Sequence, residues 1–408
     1  MRQLLVLCLV FTRVLSGQNA DPFPVPPNQK GLQVQMIDDA LALGIHHAGV
    51  NVNLTALLDQ KSDPETGKFL FNQNYLKSLD GQIKPISDKG VLVYVILLTY
   101  PSKDPGRDAI ALHPDHRKDY KFSVGAFNTT NRFLEEVTDM LAERWSGAHP
   151  EFGRVWGWII GNEVNSHFLW NNMGLVPLET AVSEYEKAFR IIHNAIRKHS
   201  THARTYVSFD HHWASSMHNV SPQEATSGRD YLDTFARLVR ERGDFDWNVA
   251  WHPYPEDLGN PRAWADKTIT TDDSSNKVTF KNLQVLTRHL AKPELLCDGK
   301  LRRIILSEQG FHTLLNPEGE RLQAAAFAYA WEKIQTMPTV DAFIYHRHVD
   351  HAKEGGLRLG LWRNAPHSIA DPHSKKLIYE LFKKAGTPEW REAADALLPV
   401  TGLKAWNE

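Results

Sequence analysis

Cysteine is almost missing from this chain of 408 residues: Cys8 and Cys297 are the only two. Cys8 sits inside an apolar N-terminal run, so a chain trimmed of that run keeps one thiol and has no internal disulfide; stability must come from packing. Cys8 also lies too early, with too much apolar sequence after it, for a lipid-anchored cysteine at the end of a leader. Long hydrophobic runs are lacking as well. Beyond the N-terminal run no stretch approaches the roughly 18 to 20 apolar residues that span a bilayer, which excludes an integral helical membrane protein. Strong charge of one sign is the third absence. The formal charge is -2, and loss of Arg2 and Arg13 with the N-terminal run leaves -4, which points away from nucleic acid.

What is present is an ordinary globular composition, 42% hydrophobic and 23% charged, able to bury a large core as one barrel with insertions or as two smaller domains. Residues 1–17 have the order of a signal peptide: Arg2, an apolar run from Leu4 to Phe11, Arg13, then small Ser16 and Gly17 at the cleavage point. A buried N-terminal strand is the alternative. The leader predicts a secreted or periplasmic protein with no membrane attachment after its removal. Asn53, Asn128 and Asn219 each begin an Asn-X-Ser/Thr site, which matters only in a eukaryotic secretory route. The Pro-rich stretch D-P-F-P-V-P-P marks residues 18–29 as an extended linker into a domain covering 30–408.

Within that domain, short β-branched or aromatic runs alternate with helix-period segments. Strands are expected at 31–35, 45–52, 91–98, 155–160, 205–209, 248–252, 303–306 and 342–346. Amphipathic helices are expected at 131–145, with Thr129 or Thr130 as cap, and at 184–198, 231–242, 283–290, 321–335 and 375–384. Eight strands interleaved with helices define an α/β protein, a single-domain (β/α)8 TIM barrel. Residues 100–128 after the third strand and 253–281 after the sixth form long polar loops on the C-terminal face, where active sites of this fold lie.

Two tracts concentrate the chemistry. Residues 158–165 read W-I-I-G-N-E-V-N and residues 304–311 read I-I-L-S-E-Q-G-F. Each is an apolar strand ending in a Glu within a turn-prone stretch, and Glu163 and Glu308 are 145 positions apart. Paired carboxylates presented from strand ends are what cleavage of a glycosidic bond requires. A retaining enzyme needs one protonated to assist the leaving oxygen and one ionised to attack the anomeric carbon, about 5 to 5.5 Å apart. Their environments must push the two pKa values apart, and Trp158, Val164 and Trp170 give Glu163 the less polar setting.

The Asn162-Glu163 pair closing the fourth strand, and Glu308 closing the seventh within S-E-Q-G-F, resemble the arrangement of clan A glycoside hydrolases. The stretches K-G-L-Q-V-Q-M, A-L-G-I-H-H-A-G-V-N and W-H-P-Y-P also resemble an uncharacterised barrel family placed near that clan. The first resemblance implies Glu163 as general acid/base, Asn162 as the residue binding the hydroxyl next to the reacting carbon, and Glu308 as nucleophile. It implies a retaining glycoside hydrolase acting on a polysaccharide or oligosaccharide, with no cofactor.

Aromatic and polar residues at other strand ends supply substrate-binding candidates: His252 and Tyr254 after strand six, His212 and Trp213 after strand five, His346 and Arg347 at strand eight, and Trp362 beyond it. Tyr254 is placed to hydrogen-bond the nucleophile. Asn51, Asn53 and Tyr100 have position alone in their favour. His46 and His47 lie deeper in strand two and suit a core histidine, and Trp156 suits packing against the outer helices. Arg347, Arg358 and Arg363 suit an anionic sugar or an exposed basic rim equally.

Two other functions fit parts of the pattern. His346 and His348 on one strand face, with His211, His212 and His252, can surround a cation in a metal-dependent barrel hydrolase, although a paired His signature on the first strand is missing. A barrel that binds polysaccharide without cutting it is the non-enzymatic alternative, and it predicts loss of one of the two carboxylates.

Overall fold

The computed structural model describes residues 18–63, 66–120 and 123–408. Eight parallel strands close into one barrel in chain order: β1 (Lys30–Gln33), β2 (His47–Asn53), β3 (Leu92–Leu98), β4 (Gly157–Ile160), β5 (Arg204–Phe209), β6 (Trp247–Trp251), β7 (Ile304–Gln309) and β8 (Val340–Tyr345). The ring closes where Lys30, Gly31 and Leu32 pair with Phe343, Ile344 and Tyr345. The (β/α)8 TIM barrel is therefore the fold, in one domain.

Alternation along each strand sorts side chains into two cores. Tyr94, Ile96, Ile159, Tyr206, Ala250, Ile305 and Ile344 fill the barrel. Val95, Trp158, Ile160, Val249, Ile304 and Phe343 face outward into a cluster shared with the helices. Gly157 has no side chain because a methyl group there would run into the ring of Tyr94. Helices Phe133–Arg144, Leu178–His199, Gly228–Glu241, Gln284–Leu290, Gly319–Gln335 and Leu377–Lys384 cover the outside as expected.

Several expectations change. Helix Phe133–Arg144 starts without a Thr cap; Asn131 Oδ1 accepts the Phe133 N–H instead, at 2.9 Å. Helix Gln73–Ser87 has an apolar face of Leu76, Leu79, Ile83 and Ile86. Pro85 in its last turn and Gly81 inside it disguise that face in the sequence. The connection after β3 holds a helix, Pro105–Ala111, capped by Asp104. The connection after β8 holds a hairpin, β9 (Trp362–Asn364) with β10 (Pro372–Lys375).

Residues 1–17, expected from the sequence to be a signal peptide, lie outside the described residues. Residues 18–29 are extended but docked, not a free linker. Asn19 bonds the end of helix Leu178–His199, its N–H to His199 O at 2.9 Å, and Asp21 pairs with Arg154 at 2.6 Å. Phe23 packs edge-on to Trp156, with the Arg204 guanidinium 3.8 Å from its ring centroid. Trp156 precedes the first paired residue of β4, so strand alternation does not govern it, and it joins the interior cluster at the barrel floor. His47 is the satisfied core histidine, fully buried between Tyr94 Oη and Asn28 O, each at 3.2 Å. Burial holds its pKa down to about 3, so it is neutral. Of the three glycosylation-type asparagines, Asn53 caps a helix turn and Asn128 is buried against Ala109 O; Asn219 is exposed. Among the described residues no helix is long and apolar enough to cross a membrane.

Candidate active site

Two backbone irregularities aim the carboxylates. After β4 the chain turns through Gly161 at φ 75° and Glu163 at φ 41°, a left-handed conformation that is uncommon away from glycine and costs about 1–3 kcal/mol. The Glu163 N–H donates to Ser208 Oγ on β5 at 3.1 Å, and its carbonyl accepts the Ser166 N–H at 2.9 Å, which fixes the turn. On β7 the register to β8 slips by one residue between Leu306 and Gln309. Simple alternation from inward Ile305 would turn Glu308 toward the helices. Ser307 reaches the interior by that alternation, and the bulge lets Glu308 join the site at the C-terminal mouth as well.

The result is a short gap. One oxygen of Glu163, one oxygen of Glu308 and a ring nitrogen of His252 all lie within 4.8 Å of one another. His252, at the end of β6 and 1% exposed, is the hub: Nδ1 is 2.9 Å from Glu163 Oε1, and Nε2 is 3.0 Å from Ser307 Oγ and 3.3 Å from Ser208 Oγ. Tyr254 donates its O–H to Glu308 Oε1 at 3.2 Å. His211 is 3.1 Å from the Tyr254 carbonyl and holds that segment in place.

Electrostatics separates the pair. Burial raises the Glu163 pKa above the ordinary carboxylate value, the bond from His252 opposes the rise, and the charges of Asp210 and Glu308 add to it. Burial works against an imidazolium at His252, yet the Glu163 bond and the charge of Glu308 carry its pKa above the usual value. Asp210 is buried too, but the His212 and Ser166 bonds hold its carboxyl well below the carboxylate range. Burial first, then the charges of Glu308, Glu163 and Glu354, push the Tyr254 phenol far up, so it stays a donor.

The other expected residues fall into three groups. Asn162 stands half-buried on the rim of the β4 turn. His212 supports Asp210, its Nδ1 3.1 Å from Oδ1 and its N–H 2.8 Å from the same oxygen. His346 and Arg347 at the end of β8 both hold Glu354: His346 Nε2 lies 3.1 Å from Oε1, Arg347 pairs with Oε2, and His346 Nδ1 reaches Gln33 Oε1 at 2.6 Å. Trp213 does not offer a stacking face. It is fully buried, edge-on to Trp251 and His289, because its backbone N–H, bonded to Asn276 O, draws it under the loop after β6. Trp362 gives its N–H to Asp39 at 3.1 Å and packs edge-on to Tyr379, in a cluster that also engages His348.

Glu354 is a site residue the sequence reading missed. It lies in the loop after β8, and despite burial the His346 and Arg347 contacts hold its pKa down to about 2. Ser208 and Ser307 were missed as well, since a serine in a strand carries no signal of its own. The arginines proposed for an anionic sugar all have partners: Arg347 with Glu354, Arg363 with Glu320, and Arg358 with Thr313 O and His312. The histidines proposed for a metal cluster also separate, His346 to Glu354, His348 to Asp39, His211 to Tyr254 O and His212 to Asp210. Among the described residues, Glu163, His252 and Glu308 are the three donors close enough to share an ion.

A model of the Family of unknown function (DUF5722) matches residues 22–408. The chain belongs to that family. No curated protein matches the sequence. Among solved structures, the DUF5722 chain is similar to a family 39 glycoside hydrolase from the gut symbiont Bacteroides cellulosilyticus WH2, with TM-score 0.57, 13% identity, and 90% of this chain and 65% of that one covered. It is similar to a glucosidase from Croceicoccus marinus, with TM-score 0.54, 12% identity, and 90% and 66% covered. It is similar to a hyperthermophilic β-glucosidase from Pyrococcus furiosus, with TM-score 0.56, 14% identity, and 89% and 86% covered. The chain thus spans about two thirds of the length of the first two. At these identities the likeness establishes the barrel fold, shared with a family 39 glycoside hydrolase and with β-glucosidases, in line with the resemblance carried by the two Glu tracts.

Proposed function

We propose that this protein is a retaining glycoside hydrolase that cleaves a polysaccharide or oligosaccharide, with Glu308 as nucleophile and Glu163 as acid/base. The observation that carries the reading is the approach of one oxygen from each carboxylate to within 4.8 Å of the other. That belongs with the about 5–5.5 Å separation of retaining enzymes and not with the roughly 6.5–9.5 Å that leaves room for water in inverting ones. In the first step a Glu308 oxygen bonds the anomeric carbon as the bond to the leaving oxygen breaks, and the proton shared by Glu163 and His252 passes through Glu163 to that oxygen. In the second step water attacks the same carbon, Glu163 takes its proton, and the ester to Glu308 breaks. Tyr254 holds Glu308 Oε1, and Asn162 on the rim is assigned to the hydroxyl beside the reacting carbon.

The fold neighbours, a family 39 glycoside hydrolase and β-glucosidases, support a carbohydrate substrate. An extracellular or periplasmic site of action fits the leader-like segment 1–17. The test is Glu308→Ala on an aryl glycoside that the wild type cleaves. Activity should fall to background, and added azide should restore release of the aryl group with a glycosyl azide of inverted configuration as product. Full activity without azide, or a wild-type product whose anomeric configuration is inverted by NMR, refutes the assignment.

A further inference from the structure

The hub that tunes Glu163 is also built as a metal ligand. His252 Nδ1 faces Glu163 Oε1 at 2.9 Å, while Nε2 points away from the gap toward Ser307 Oγ at 3.0 Å and Ser208 Oγ at 3.3 Å. A histidine that binds a metal through one ring nitrogen characteristically has the other held by a hydrogen-bond acceptor, which fixes its tautomer and orientation. Ser307 and Ser208 supply that arrangement. Once the proton shared with Glu163 has left and the remaining one stays on Nε2, the Nδ1 lone pair is directed at Glu163 Oε1.

We propose that Glu163, His252 and Glu308 form a binding site for one zinc-class divalent cation, through His252 Nδ1 and one oxygen from each glutamate, and that occupancy reversibly silences the enzyme. Tetrahedral zinc with ligand bonds of about 2.0–2.2 Å places its ligand atoms about 3.4 Å apart. The Nδ1 to Oε1 distance of 2.9 Å is already close to that edge, and the widest separation in the set, within 4.8 Å, has to shorten for all three ligands to share the ion. Charge favours the ion. One oxygen each of Glu163 and Glu308 lies within 4.8 Å of the other, the charge of Asp210 also acts on both Glu163 and His252, and a dication neutralises the two ligand carboxylates where burial makes their repulsion costly. The donor set selects the metal: an imidazole nitrogen and two carboxylates suit zinc, cobalt or copper, whereas magnesium and calcium require more oxygen ligands than this narrow site offers. The fourth position points to the mouth, where the scissile bond would lie, so metal and substrate exclude each other.

Binding is independent of the proposed glycosidase reaction; only its inhibitory consequence rests on that reading. The experiment is calorimetric titration of the full chain with zinc chloride at pH 7.5, repeated with magnesium, alongside His252→Ala, Glu308→Gln and Ser307→Ala, each checked for fold by near-UV circular dichroism. One zinc should bind per chain. Affinity should drop about 100-fold or more in the two ligand variants and about 10-fold in Ser307→Ala, with no comparable magnesium binding. Zinc should raise the apparent KM for an aryl glycoside without lowering kcat, and a chelator should reverse this. Zinc binding that is unchanged in both ligand variants, or weaker than that of magnesium, overturns the site. Site-specific zinc binding that raises or is required for turnover overturns the inhibitory assignment and, with it, the metal-free mechanism. A wild type inactive on every glycoside while zinc still binds as described leaves the site standing and removes the proposed function alone.

Discussion

Replacing His252 by Phe fills the imidazole's space, keeps water out, and removes both nitrogens. Glu163 then loses the one partner that stabilises its carboxylate against burial and against the charges of Asp210 and Glu308. A hydrogen bond to a charged group is worth about 1.5–3 kcal/mol, and about 1.4 kcal/mol is one pKa unit, so the Glu163 pKa should rise by about 1–2 units. The sign follows from the role proposed for it: as acid in the first step Glu163 must be protonated, so its ionisation sets the alkaline limb of the kcat/KM profile. Raising its pKa moves that limb to higher pH. The assay is kcat/KM on an aryl glycoside from pH 4 to 10, wild type against His252→Phe, with melting curves to show that both are folded. An alkaline limb that stays in place or moves to lower pH refutes the claim that His252 holds Glu163 toward its ionised form.

Tyr254→Phe deletes the donor to Glu308 Oε1; kcat/KM should fall about 10- to 100-fold with little change in melting temperature, and an unaltered rate would detach the phenol from the nucleophile. Lys376→Met strands Asp350, since the pair is 2.7 Å apart with side chains 1% and 4% exposed. Removing one member of a buried pair costs about 3–5 kcal/mol, which a lowered urea midpoint should register, and a midpoint unchanged from wild type would contradict that cost.

The strands β2 to β8 and their order are legible in the sequence because each holds β-branched or aromatic residues that the barrel buries, whereas β1, K-G-L-Q, is the weakest signal because it has neither. The helix Gln73–Ser87 is harder to see, since Gly81 and Pro85 interrupt an otherwise regular apolar face. At the site the legible residues are those whose side chains are rare at strand ends and carry chemistry by themselves: Glu163, Glu308, His252 and Tyr254. Trp213 shows the limit of that rule, because a ring next to a strand end can turn under a loop as readily as over a sugar. Glu354 shows a different limit. It stands nine residues beyond β8 and is brought to the mouth only by the grip of His346 and Arg347, contacts with no local sequence pattern. The bulge in β7 is equally silent, being a property of pairing with β8 and not of the I-I-L-S-E-Q run itself.

The floor of the barrel has a consequence for proton traffic. Phe23 and Trp156 lie beneath the strands with Arg204 and Arg154 against their rings, and the interior above them is filled by Tyr94, Tyr206, Ile159 and Ile305. Proton exchange with the Glu163–His252 pair is therefore expected through the mouth, where the Glu163 side chain keeps 13% of its surface exposed. On the proposed mechanism, a sugar seated over the carboxylates would shut that route, so the pair would begin each turnover with the proton it already holds.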